Sequence, residues 1–224
     1  GGRRDGLPAG IAVDILEKVF DTLHANKTRA DVQIVPLSEG FSRMQNENET
    51  VLFSIVKTPE REPFYQWAGP FTTGRFVLFA PADRNITISS AEDLDTYSIG
   101  AIEGTIENTF LSDFGVDPAR ITGGLVPDDL IGMLEDGSID IWATGDSTGR
   151  YAMKNAGIDP ARYEIVYTLH TDDFYFIFTH DVPESLIQTF NQTLGKVLNQ
   201  KDESGVTAYE KIMSENLGNV DEIP

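Results

Sequence analysis

Cysteine is absent from this chain, which excludes disulfides, thiolate metal centres and cysteine nucleophiles together. Histidine is scarce: His24, His170 and His180 lie far apart and none belongs to a His-x-x-x-His pair. No metal or cofactor is therefore expected, and with no Gly-x-Ser-x-Gly elbow a serine hydrolase is not indicated either. No apolar run approaches the ~20 residues that span a bilayer. The longest, around Phe76–Ala80 and Phe174–Phe178, are strand-sized. The opening Gly1-Gly-Arg-Arg-Asp-Gly lacks the apolar core of a secretory leader, as a mature or trimmed exported chain also would. Basic residues are few: 17 Lys and Arg against 36 Asp and Glu leave a net charge of −19. A surface of that sign repels phosphate backbones and anionic membranes, so no nucleic-acid partner is expected. It serves solubility, or suits a salty exterior.

At 224 residues the chain is long enough for one large domain or two small lobes with a sizeable core. Hydrophobic residues at 40% and charged residues at 24% place it among soluble globular proteins. Asn-x-Thr sequons at Asn26, Asn48, Asn85 and Asn191 are compatible with a glycosylated exterior.

The apolar stripe Ile15, Leu16, Val19, Phe20 and Leu23 predicts a helix over about Ala12–Ala25. Val32–Leu37 alternates like a strand, and Ser38 is placed to cap a short helix through Met44. Val51–Val56 and Arg75–Ala80 read as strands, with Pro81–Asn85 as a turn. A second unit follows: a capping box at Ser90–Asp93, a strand over Tyr97–Ile102, and a helix from Thr105 to about Phe114. Beyond it come a helix over Pro127–Glu135, a strand over Ile139–Ala143 and a helix over Ser147–Ala156. Tyr163–Leu169 and Phe174–Thr179 read as two strands, and Pro183–Gln200 and Gly205–Asn216 as closing helices. Strands alternating with helices predict α/β layering with largely parallel strands. The segments Phe41–Ser54 and Leu130–Ala143 share one plan, a short helix, a polar turn and an apolar strand, which fits two similar lobes.

Three strand ends carry candidate chemistry. Arg61 follows the Val51–Val56 strand and offers a planar fork for a carboxylate at the sheet edge where α/β proteins bind ligands. Glu60 and Glu62 beside it leave open a plain surface ion pair. Gly104-Thr105-Ile106 joins a strand to a helix, where free amides favour an anion. Thr105 also reads as an ordinary N-cap. Asp146 at a third strand end suits a ligand ammonium group or the cap of the next helix. With 36 carboxylates in the chain, adjacent pairs arise by chance, so Asp128-Asp129 and Asp172-Asp173 identify no acid–base dyad, and Asp128-Asp129 better suits a helix N-terminus. Trp67 and Trp142 read as core residues.

Thr58-Pro59-Glu60-Arg61-Glu62 followed by Trp67-Ala-Gly-Pro-Phe71 resembles the signature of the family 3 extracellular solute-binding proteins, which include amino-acid receptors of ABC importers. Gly10-Ile-Ala-Val-Asp14 is similar to that family's Gly-Phe-x-x-Asp element. Asp93-Leu94 with Gly100–Thr105, Leu134–Asp140 and Phe190–Leu194 with Gly205 follow its order and spacing. The resemblance implies a type II periplasmic-binding-protein fold: α/β, two lobes, mixed and largely parallel sheets, two hinge crossings near Phe79–Asn85 and Tyr175–Asp181. Lobe one would comprise 1–82 plus 180–224, and lobe two 83–179.

The family's carboxylate-binding arginine falls on Arg61. Its backbone and hydroxyl contacts fall on Ser54 and Val56 in lobe one and on Thr105 and Ile106 in lobe two. Its ammonium-binding aspartate falls on Gly145, with Asp146 one place later, and Val56 stands where amino-acid receptors have serine or threonine. Only nine residues precede the Gly10 element, so the family's first strand and aromatic clamp are trimmed, divergent or absent. The resemblance implies a non-enzymatic, extracytoplasmic, monomeric protein that closes on a small amino-acid-like or carboxylate-bearing solute for a membrane permease. Alternatives are the sensing ectodomain of a signalling receptor and a cyclohexadienyl-dehydratase-like enzyme, for which His170 is the one plausible acid or base.

Overall fold

A computed structural model describes the backbone of residues 2–217 and the side chains of residues 5–216. In chain order the elements are β1 (Gly2–Arg4), β2 (Leu7–Ala9), α1 (Ile11–Thr22), α2 (Leu37–Asn46), β3 (Val51–Val56), β4 (Gln66–Pro81), β5 (Ile99–Ile102), α3 (Ile106–Phe114), β6 (Ile121–Gly124), α4 (Pro127–Asp136), β7 (Ile141–Gly145), α5 (Asp146–Asn155), β8 (Tyr163–Phe178), α6 (Glu184–Asn199) and α7 (Ala208–Leu217), with short 3-10 turns between some of them. The chain divides into two compact units, Gly1–Thr73 with Asp173–Pro224, and Gly74–Asp172. Both changes of unit fall inside continuous strands, β4 and β8. The boundaries at 73/74 and 172/173 stand apart from 82/83 and 179/180, because no turn residue marks a crossing made by uninterrupted strand.

In the first unit α1 buries Val13, Ile15, Leu16 and Val19, each such side chain contributing ~1.5–3 kcal/mol when removed from water. Ile15, Leu16 and Val19 pack with Phe71, Phe176, Phe178, Phe190 and Leu194 into one core shared by α1, α6 and the strands. β3 pairs antiparallel with the end of β8, Val51 opposite Phe178 and Val56 opposite Phe174. A smaller cluster of Met44, Ile55 and Ile177 seats α2 on that pair. The buried Asp14 carboxylate lies 3.2 Å from the Arg29 guanidinium and accepts from Asn216 Nδ2 at 2.8 Å, which ties α7 and the 3-10 turn at Arg29–Asp31 to α1.

In the second unit the strand order is β4-β7-β5-β6. β5 runs parallel to β6 and β7, while β4 is antiparallel to β7. One face carries Leu78, Leu94, Ile99, Leu111 and Ile141, the other Phe79, Leu130, Ile139, Trp142 and Met153. α4 begins at Pro127, where the Asp129 carboxylate accepts from the Leu125 and Val126 amides (2.9 and 3.2 Å), and it ends at Gly137 with φ 78°. The sheet is thus mixed, with its parallel pairs in this unit.

Four local readings are corrected. Val32–Leu37 forms no strand: Pro36 lacks an amide donor, Ile34 is exposed, and α2 starts at Leu37. Arg75–Ala80 is only the end of the 16-residue β4. Tyr163–Leu169 and Phe174–Thr179 are one 16-residue strand, β8, which carries the polar stretch His170–Asp173 between its apolar ends. β6 was not anticipated, and neither was the β1–β2 hairpin. Asp5 (φ 53°) and Gly6 (φ 81°) turn that hairpin as an Asp-Gly pair with both residues at positive φ.

Candidate binding site

Arg61 owes its position to a tight turn at the end of β3. Thr58 O accepts from the Arg61 and Glu62 amides at 3.0 and 2.9 Å, which folds the chain back toward the strand. The Arg61 side chain then reaches Val56 O, to which Nη1 donates at 3.2 Å, and its guanidinium lies 5.0 Å over the Phe41 ring of α2. Burial pulls its pKa below the usual arginine range, opposed by Tyr65 and Glu60, and a guanidinium remains charged regardless. Of the acidic neighbours, Glu62 pairs with Lys57 at 2.6 Å, and local hydrogen bonding holds the Glu60 carboxyl below the usual carboxylate range. Among the described residues no carboxylate pairs with Arg61, so the surface ion-pair reading does not describe this geometry.

Ser54 sits on the same strand in a β-bulge. The register slips between Phe53 and Ile55, and Ser54 adopts φ 63°, a left-handed conformation that costs a non-glycine residue ~1–2 kcal/mol. Its side chain is exposed. Val56 is the opposite case. Its side chain is 4% exposed and belongs to the core, so only its backbone is available, and its carbonyl already holds Arg61.

In the second unit the parallel strands β5 and β7 end at one edge, at Ile102 and Gly145. Gly104 (φ 72°) turns the chain into α3. The Thr105 hydroxyl donates to Ile102 O at 2.9 Å, and Asn108 Nδ2 donates to the same carbonyl at 2.7 Å. Thr105 therefore does not cap α3, and among the described residues the Ile106 amide meets no acceptor. Asp146 opens α5 with both carboxylate oxygens taken, by Arg75 Nη2 at 2.5 Å and Arg150 Nε at 2.7 Å. Arg150 in turn lies over Phe79. Asp146 is positioned inside its unit by two cations rather than presented to a ligand.

A carboxylate that sequence reasoning passed over stands at this edge instead. Glu107, in the first turn of α3, is only partly exposed. Burial pushes its pKa above the usual carboxylate range. In the sequence it looks like any acid near a helix N-terminus. His170 stacks on Phe110 (centroids 4.2 Å apart), and its Nε2 lies 3.1 Å from Asp172. Two shallow surface depressions, one lined by Gln66, Trp67 and Asn191 and the other by Gly205, Lys211 and Glu215, include neither Arg61 nor the Thr105 turn. Among the described residues no cluster of His, Asp and Glu is arranged to hold a metal, and no helix is long and apolar enough to cross a membrane.

No protein-family model and no curated protein matches the chain in sequence. Solved structures do match it. The backbone is similar to a histidine kinase sensor domain with similarity to periplasmic binding proteins, at TM-score 0.77 and 19% identity over 96% of this chain and 89% of that one. The fold is that of the periplasmic binding proteins. The GluR0 ligand-binding core in complex with L-glutamate superposes at TM-score 0.76 and 16% identity, covering 94% and 90% of the two chains. The arginine-, lysine-, histidine-binding protein ArtJ from Geobacillus stearothermophilus follows at TM-score 0.72 and 20% identity over 97% and 89%. These likenesses extend over nearly the whole of each chain, so the α/β expectation drawn from the sequence motifs holds for the fold of both units.

Proposed function

We propose that this protein is an extracytoplasmic receptor that binds a small, polar, acid-bearing solute. Its carboxylate is gripped by Arg61 of the first unit. The observation that carries this reading is Arg61 itself. It is a half-buried guanidinium aimed by a carbonyl and an aromatic ring, with no carboxylate partner among the described residues. Ser54 on the bulged strand is a further contact in this proposal. Asp146 is not assigned a ligand role, since Arg75 and Arg150 occupy it. The fold is shared with proteins described as binding L-glutamate and as binding arginine, lysine and histidine, which supports an amino-acid-like solute. Binding requires no chemical step, so the protein is proposed not to be an enzyme.

The proposed partner is the membrane permease of an ABC importer, served by a monomeric receptor. The likeness to a histidine kinase sensor domain favours a second reading, a sensing ectodomain whose output lies elsewhere in a longer protein. A thermal-shift screen over amino acids, dicarboxylates and amines identifies the solute, because a ligand of the native state raises stability by mass action. Calorimetry then tests the clamp. Arg61→Ala leaves the acid group unpaired and is expected to cost ~2–5 kcal/mol, a loss of roughly thirtyfold to several thousandfold. Arg61→Lys also weakens binding, because an ammonium cannot reproduce the bidentate fork. Unchanged affinity in both variants would remove Arg61 from the site. Small-angle scattering at saturating ligand tests closure, for which a smaller radius of gyration is expected.

A further inference from the structure

Ten asparagines occur in the chain, and four of them, Asn26, Asn48, Asn85 and Asn191, are followed two places on by threonine. With 19 threonines among 224 residues, chance placement gives about one such pair. In all four the residue between is not proline, and no asparagine has serine at the same spacing. Asn-x-Thr is the acceptor sequence for N-linked glycan transfer, so the excess has a chemical reading.

The structure separates the four. Asn26 lies in the irregular stretch between α1 and the 3-10 turn at Arg29–Asp31, and Asn26, Lys27 and Thr28 are all exposed. Asn48 lies exposed in the bend between α2 and β3. The Thr50 hydroxyl donates to Asn48 O at 3.1 Å, so the two acceptor residues already share one turn. Asn85 follows the 3-10 turn Ala82–Arg84 in a left-handed conformation (φ 51°). Asn85 and Thr87 are exposed on either side of the buried Ile86. Asn191 is the exception, because it stands inside helix α6. Its Oδ1 accepts from the Gly69 amide at 2.9 Å, and Thr193 is turned inward at 6% exposure. A transferase must hold the amide and the hydroxyl of its acceptor together in its own site. Three exposed loops offer both groups, as surface loops do for modification generally, and a helix with its threonine buried does not.

Resting on the extracytoplasmic reading above, we infer that Asn26, Asn48 and Asn85 carry N-linked glycans and that Asn191 does not. The co-reactant is a lipid-linked oligosaccharide activated as a phosphate ester. The new bond joins asparagine Nδ2 to the anomeric carbon of the sugar. The anomeric C–O bond to phosphate breaks, the lipid phosphate leaves with its electron pair, and Nδ2 gives up one proton. Two of the glycans stand on the first unit and one on the second. Bulky, hydrated sugars at these turns add solubility of a kind that salt does not screen, unlike the charge of −19.

Peptide mass spectrometry of the protein isolated from its own cells reads each sequon separately. Glycopeptides are expected at Asn26, Asn48 and Asn85, and an unmodified peptide at Asn191. Any of the three found bare overturns the assignment at that residue, and a glycan on Asn191 overturns the selection by structure. Thr87→Ala, made in the same cells, keeps Asn85 and removes only the exposed hydroxyl side chain two places on. It is expected to leave Asn85 bare with Asn26 and Asn48 still occupied. A sugar retained on Asn85 in that variant overturns the sequon reading. Cell fractionation of the same sample separates two failures. A bare protein found outside the cytoplasm sinks only this inference, whereas a bare protein found inside it takes the extracytoplasmic reading down as well.

Discussion

Arg61 and Asp14 differ in what faces them. Among the described residues no carboxylate pairs with Arg61, whereas Asp14, buried at 7% exposure, has Arg29 and Asn216. Asp14 is therefore structural. Asp14→Ala strands Arg29 and Asn216, and its expected cost is about 2 kcal/mol of unfolding free energy, below the buried-pair range because Arg29 keeps some contact with solvent. The exposed Lys27–Asp31 pair makes a control: its side chains are 61% and 45% exposed, and Lys27→Ala is expected to change stability by less than ~0.5 kcal/mol. Urea unfolding of both variants checks this, and equal costs would mean that Asp14 is not the tie between α1, the Arg29 turn and α7.

At the scale of elements, α5 holds a test in which two rules disagree. Gly149 lies inside the helix, where alanine is favoured by about 1 kcal/mol. A Cβ there would stand 2.7 Å from Phe79 Cε2 and 2.8 Å from Thr144 Cγ2, and neither neighbour is a flexible chain end. Packing wins, and Gly149→Ala is expected to destabilise by ~1–3 kcal/mol. A higher melting temperature in that variant would refute the close approach of α5 to β4. The same contest between local pattern and tertiary context decides what the sequence reveals. Strands β3, β5 and β7 and helices α1, α3, α4, α5 and α6 are legible because one or two apolar faces impose their period on the chain. β8 is not legible as one strand, since His170–Asp173 is polar where the strand passes from one unit to the other. β6 is hidden by two glycines, Gly123 and Gly124, which leave room for Glu103 and Leu130 but carry no strand signal. Arg61 is legible because a single arginine follows a strand. The Ser54 bulge is not, since it depends on pairing with β8, distant in sequence.

For the whole molecule the dominant property is charge. A net charge of −19 makes the folded chain repel itself, and salt screens that repulsion. Against it stand the carboxylates whose pKa the fold depresses: Glu17 through Arg29, Asp93 through the Ser89 and Ser90 amides, Asp181 through the Thr179 hydroxyl and the Glu49 amide, and Asp202 through Lys211 and Ser204. A depressed carboxylate contributes stability that is present above its unfolded pKa and lost as pH falls through the folded one. Glu107 has the opposite sign: its raised pKa contributes stability below the unfolded value, which is lost as pH rises through the folded one. Both Glu107 and the general repulsion therefore favour mild acid over neutrality, while the depressed carboxylates hold until strong acid. At low salt, stability is expected to peak near pH ~5, decline modestly toward pH ~8 and fall steeply below pH ~4. At about 1 M NaCl the Debye length shrinks to about 3 Å, so the decline above pH ~5 should shrink and stability near neutrality should rise. The acid limb should persist, because hydrogen bonds to the depressed carboxylates are not screened away. Urea midpoints across this pH range at low and high salt measure both limbs. A midpoint that falls steadily from neutrality to pH ~5 at low salt would show that the depressed carboxylates, not self-repulsion, govern this chain over that range.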